Sequence, residues 1–120
     1  MLHLKKLCVG IDTSEHLAAV QRYRLERLAR EGKAPRLAFI TRNTPRRAAE
    51  ILDGGGSLYW IVRGVMCVRQ RIIAIEPAVD REGNRACALV FDPGLVLTRP
   101  VPSRPFQGWR YLTPAEAPRD

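Results

Sequence analysis

Thr41-Arg-Asn-Thr-Pro-Arg-Arg-Ala-Ala-Glu-Ile-Leu-Asp-Gly-Gly-Gly-Ser-Leu-Tyr-Trp-Ile-Val-Arg63 is the stretch whose reading decides the fold. Thr44 followed by Pro45 predicts a helix start, with threonine as cap and proline at the first helical position, where its missing N–H costs nothing. The helix is short, because Gly54, Gly55 and Gly56 end it and let the backbone take a positive φ. From Ser57 to Arg63 the residues alternate, with Leu58, Trp60 and Val62 on one side and Tyr59, Ile61 and Arg63 on the other. That period of two describes a strand with two distinct faces. One aromatic of the Tyr59-Trp60 pair is therefore expected in the core, and the other is expected to remain free to stack.

Upstream, Leu2, Leu4, Leu7, Val9 and Ile11 read as an opening strand closed by Asp12. Asp12 and Glu15 resemble a helix-start pair. Leu17, Val20, Leu25 and Leu28 then recur at helical spacing as far as Gly32, with Pro35 blocking continuation. Leu37 to Ile40 is a second strand. Downstream, Val65 to Ile75 reads as a long strand carrying Arg69 and Arg71 on one side. Asp80 to Asn84 is a turn, Ala86 to Phe91 a strand, Asp92-Pro-Gly94 a second turn, and Leu95 to Thr98 a further strand. Proline recurs from Pro100 to Pro105, which fits an edge or a surface loop. Phe106 to Leu112 returns to the sheet, and residues 113–120 read as a loose tail. Strand–helix–strand–helix followed by a run of strands predicts an α+β single domain spanning 1–120, with two helices and a small curled, mostly antiparallel sheet or open barrel.

The 120 residues suffice to bury roughly two-thirds of the unfolded surface in one core. Charge is the unusual quantity: 20 Lys+Arg face 12 Asp+Glu, for a net charge of +8, and seventeen of the twenty cations are arginine. Guanidinium forks to phosphate oxygens and stacks on rings, so this composition fits a polyanionic partner. Cys8, Cys67 and Cys87 each sit in an apolar run, which argues against a disulfide framework and for a reducing, cytoplasmic setting. No run of about 18 apolar residues suggests a membrane span, and Met1 to Lys6 enters a strand without a secretory core.

Chemistry-bearing patterns are sparse. His3 and His16 have no cysteine at zinc spacing, so no metal is expected. The three glycines precede a strand and lack a following Gly-Lys-Ser/Thr, so they are no phosphate loop. No nucleophile elbow occurs, no catalytic residue stands out, and no cofactor is implied. The arginine–aromatic set remains: Arg42, Asn43, Arg46, Arg47, Tyr59, Trp60, Arg69, Arg71, Trp109 and Arg110. Stacking on an aromatic contributes about 1–3 kcal/mol per base, and arginine adds phosphate and cation–π contacts. The pattern points to a nucleic-acid-binding module for RNA or DNA. The competing reading is a basic interaction or homodimerisation module anchored on Trp109.

The segments Thr41-Arg-Asn-x-Pro-Arg-Arg-Ala48, Gly55 to Trp60, Arg69-Gln-Arg-Ile72 and Arg104 to Leu112, with the opening Met1-Leu-His-Leu4, resemble a bacterial family of unknown function, DUF1489. That resemblance spans nearly the whole chain and implies no activity. The order Arg42-Asn43, short helix, glycine turn, aromatic strand and Leu97-Thr-Arg-Pro100 is also similar to EVE and wider PUA-like domains, which include readers of modified nucleobases. This second similarity implies a PUA-like fold with Asn43 beside a pocket for a flipped or modified base and Trp60 as its wall.

Overall fold

The computed structural model describes residues 1–120. Its elements are β1 (His3–Leu7), α1 (Ser14–Arg30), β2 (Leu37–Thr41), α2 (Ala48–Asp53), β3 (Ser57–Val62), β4 (Val65–Val79), β5 (Arg85–Pro102) and β6 (Trp109–Leu112). The strands form one mixed sheet in the order β2-β5-β4-β3-β1-β6. Only the β1–β3 pair is parallel. The α+β class, the two helices and the mostly antiparallel sheet follow the sequence expectation.

The long helix α1 starts where Thr13 turns extended and its side chain accepts the His16 N–H at 3.0 Å. Asp12 is not the cap; its carboxylate reaches Arg63 instead, at 2.6 Å. Arg27 and Arg30 occupy the last turn, where cations suit the helix dipole. Leu17 and Gln21 carry the buried face. The β3–β4 hairpin turns on Arg63 and Gly64, both at positive φ (50° and 78°), a twist that matches the flanking strands. At the far end of β4, the Asp80 carboxylate accepts the N–H groups of Glu82 and Asn84 and holds the turn into β5.

Three sequence expectations are corrected here. Asp92-Pro93-Gly94 does not reverse the chain. Gln70 pairs with Leu95 and Ile72 with Phe91, so these three residues face the single Arg71 as a bulge in one continuous β5. The residue types of a turn and of a bulge coincide, which is why the sequence misleads. Helix α2 begins at Ala48 behind Arg47, which gives no side-chain cap; Thr44 is outside it and Pro45 is buried in the approach. Residues 113–120 are not loose. The Asp120 carboxylate grips Arg69 at 2.6 and 2.8 Å, the Arg119 carbonyl accepts the Arg99 N–H at 2.6 Å, and Pro118 is buried.

The sheet is covered on both faces. One carries the main core, with Leu4, Leu58, Trp60, Val68, Leu89 and Phe91 beneath the helices. The other carries Tyr59, Ile61, Met66 and Leu112, packed by Phe106 and Ala117. Every side chain of β3 is consequently buried. The sheet also curls until its two edges meet. Trp109 of β6 donates its indole N–H to the Asn43 carbonyl just beyond β2 at 2.8 Å, and the Tyr111 hydroxyl accepts the Arg47 N–H at 3.1 Å. No strand ladder joins β2 to β6, so the curl stops short of a closed barrel.

Candidate nucleic-acid interface

The seam between those edges is a polar concavity. It encloses about 670 Å³ and is lined by Thr41, Arg42, Asn43 and residues 107–111. Trp109 and Tyr111 alternate onto one side of β6 and meet edge-on, with centroids 4.9 Å apart. Arg47 lies 5.5 Å over the Tyr111 ring, and its guanidinium pairs with Glu50 at 2.6 Å. Arg110 lies 5.2 Å over Phe106 and donates to the carbonyls of Gln107 and Trp109. None of the six ion pairs of the chain involves Arg42, Arg46 or Arg110. The side-chain amide of Asn43 is exposed, and only its backbone carbonyl is engaged.

Of the ten residues singled out from sequence, Arg42, Asn43, Trp109 and Arg110 line this groove, and Arg46 and Arg47 flank it along the chain. The other four lie elsewhere. The expectation that one of Tyr59 and Trp60 stays free is corrected, since both are 4% exposed. Trp60 packs on Phe39 and Phe91 and donates its N–H to Gln70 at 3.2 Å. Tyr59 meets His3 edge-on at 5.1 Å on the opposite face. Arg69 is held by Asp120 and by the Ser57 hydroxyl at 3.2 Å. Arg71 is exposed, near the glycine turn.

Thr41, Gln107 and Tyr111 complete the groove without having been singled out. The alternation Trp109-x-Tyr111 carried a signal for the last of these, because residues two apart share a strand face. No group of three or more His, Cys, Asp or Glu side chains comes together as a metal-sized set, and no helix is long and apolar enough to cross a membrane. Burial pushes the Cys8 thiol up to about 11, against the pull of Lys6 and Arg24, so it is a poor nucleophile.

Beside Tyr59, His3 accepts the Ser57 N–H through Nδ1 at 3.0 Å, which requires the neutral ring. Burial first, then the Arg69 charge, lowers its pKa from the ordinary 6.5. The unfolded chain therefore binds the extra proton more readily. The stabilisation is complete above the ordinary histidine range and is lost as pH falls through the depressed folded value. Urea midpoints taken at descending pH should decline below about 6.5, and His3→Gln should flatten that part of the profile. An unchanged profile in the variant would refute this role.

A curled, unclosed α+β sheet with an arginine- and aromatic-lined seam is thus the class of protein defined by fold and site. The chain belongs to the family described as protein of unknown function (DUF1489), whose profile matches residues 4–120. Comparison with curated proteins and with solved structures finds no match for it.

Proposed function

We propose that the chain binds single-stranded or locally opened nucleic acid along the seam. The observation that carries this reading is the convergence of Arg42, Asn43, Trp109 and Arg110 on one groove, with neither Arg42 nor Arg110 paired to a carboxylate. Phosphates sit on Arg42, Arg46 and Arg110, where guanidinium supplies forked donors. An unpaired or flipped base lies against the half-buried indole of Trp109, and the free amide of Asn43 meets its edge. The similarity of the Arg42-Asn43, helix, glycine-turn order to EVE and PUA-like readers supports the same assignment. Trp60 has no stacking role in this reading, because it does not line the seam.

Fluorescence anisotropy with short mixed-sequence RNA and DNA oligonucleotides at two salt concentrations tests the proposal. Binding should weaken steeply with salt, and Arg42→Ala with Arg110→Ala should lower the log–log salt slope by about one per contact removed. Trp109→Leu should weaken binding by about 1–3 kcal/mol, while Arg22→Ala with Arg30→Ala on α1 leaves it unchanged. Absence of binding at low salt, or equal losses from both arginine pairs, would end the proposal.

The alternative, self-association or docking of an acidic protein, draws on the outer edge of β5 beyond its pairing with β2, where Leu97 is 64% exposed. Pro100 and Pro102 lie on that stretch and the tail bonds to Arg99, features that discourage strand addition. Sedimentation equilibrium tests the self-association half of this alternative, which requires a dimer where the nucleic-acid reading does not.

A further inference from the structure

A second concavity lies beneath α1, and its chemistry differs from that of the seam. Leu17 and Val20 of the helix close over Phe39, Trp60 and Phe91 of the sheet around a volume of about 150 Å³. A dry apolar cavity of roughly that size accommodates a benzene ring. The three aromatics are not parallel: Trp60 meets Phe39 at 73° and Phe91 at 57°. An inserted ring would favour edge-to-face and tilted contacts of the same kind. The nearby polar groups are already engaged. Gln21 and Gln70 exchange two amide hydrogen bonds at 2.9 Å, and Gln70 also accepts the Trp60 N–H. A nucleobase edge would find little to pair with here, whereas an apolar ring needs no such partner.

Two cations also line this cavity, Lys6 and Arg24, and neither has a carboxylate partner in the chain. Lys6 is half-buried, makes no side-chain hydrogen bond, and has the Phe39 ring 4.8 Å from its ammonium. Its pKa is lowered by burial, a sign of incomplete hydration. Holding an ammonium against an apolar wall without a counter-ion is unfavourable, and an anion at the mouth would offset that cost.

We infer that this cavity binds a small amphipathic carboxylate, with its ring or short chain among Phe39, Trp60 and Phe91 and its carboxylate on Lys6 and Arg24. An apolar interior with a few placed charges is the usual composition of a small-molecule site. The site is separate from the seam and does not depend on nucleic-acid binding there.

The test is a titration of the full chain with phenylacetate, benzyl alcohol and phenylethylamine, following the Trp60 indole N–H by NMR. Phenylacetate should saturate at the lowest concentration, the alcohol should bind more weakly, and the amine weakest of all. Lys6→Met should weaken phenylacetate roughly tenfold, the low end for a charged hydrogen bond, and leave the alcohol unchanged. Val20→Phe, which fills the cavity, should abolish binding of all three. Arg42→Ala with Arg110→Ala should leave the titration intact. Equal affinity for the three compounds, or no saturation with phenylacetate at millimolar concentration, overturns the inference on the unaltered protein, whatever the variants do.

Discussion

Gly56→Ala should destabilise the chain by about 3 kcal/mol or more, beyond the range of ordinary overpacking. The added Cβ would lie inside the contact distance of the Leu2 carbonyl oxygen, 3.0 Å from Ile51 Cγ2 and 3.1 Å from the Ile51 carbonyl. Leu2 and Ile51 are both buried, so neither can withdraw into solvent. The obstacle is also backbone rather than a flexible side-chain end. Gly56 itself is fixed, since it donates to the Ile51 carbonyl at 2.8 Å and accepts the Ile72 N–H at 3.0 Å. Against a total stability of about 5–15 kcal/mol, such a loss is large. Gly55→Ala is the internal contrast: its added Cβ meets nothing nearer than 4.0 Å, but its φ of +69° is strained for alanine. That strain costs about 1–2 kcal/mol. Urea denaturation followed by circular dichroism measures both. A Gly56→Ala midpoint no lower than that of Gly55→Ala would disprove the close approach of the Leu2 carbonyl.

Gln70→Leu carries the second large effect, a loss of about 3–5 kcal/mol from several orphaned polar groups at 1–3 kcal/mol each. Gln70 is fully buried near the middle of the sheet. Its amide oxygen accepts from Gln21 at 2.9 Å and from the Trp60 indole at 3.2 Å, and its nitrogen donates to the Gln21 and Asp92 oxygens, both at 2.9 Å. The network ties helix α1, strand β3 and the bulge of β5 to one side chain, and it leaves no buried side-chain polar atom unpaired. Leucine would strand the Gln21 amide and the Trp60 N–H together. Gln21→Leu combined with Gln70→Leu should therefore cost less than the two single losses added, with a coupling of about 1–3 kcal/mol. Strict additivity would show that the amides act independently.

Much of this architecture was legible in the residues. The apolar recurrence from Leu17 to Leu28 marks α1, the alternation from Ser57 marks β3, and Asp80 to Asn84 marks the hairpin between the two longest strands. These signals are local, set by periodicities of 3.6 or 2 and by turn chemistry. What stayed hidden depends on distant partners. Alternation correctly sends Tyr59 and Trp60 to opposite faces, yet it cannot tell that the second face is roofed by Phe106 and Ala117. Nothing near Arg69 announces Asp120, which docks there from the C-terminal segment. Half of the candidate site was visible as arginines and aromatics. Their assembly was not, because Asn43 and Trp109 meet only when the curling sheet brings its edges together. The buried Gln21–Gln70 pair was likewise invisible, since glutamine on a helix or a strand ordinarily reads as surface.

The position of β1 between β3 and β6 has a bearing on synthesis. Its parallel neighbour arrives some fifty residues later and its antiparallel neighbour about a hundred later. During synthesis β1 therefore waits for Ser57–Val62 before it has one neighbour and for Trp109–Leu112 before it has both, and pairings so remote in sequence are slow to form. Ribosome-bound fragments ending before Trp109 should leave the β1 amides that face β6 open to solvent exchange, while those that face β3 can already be protected.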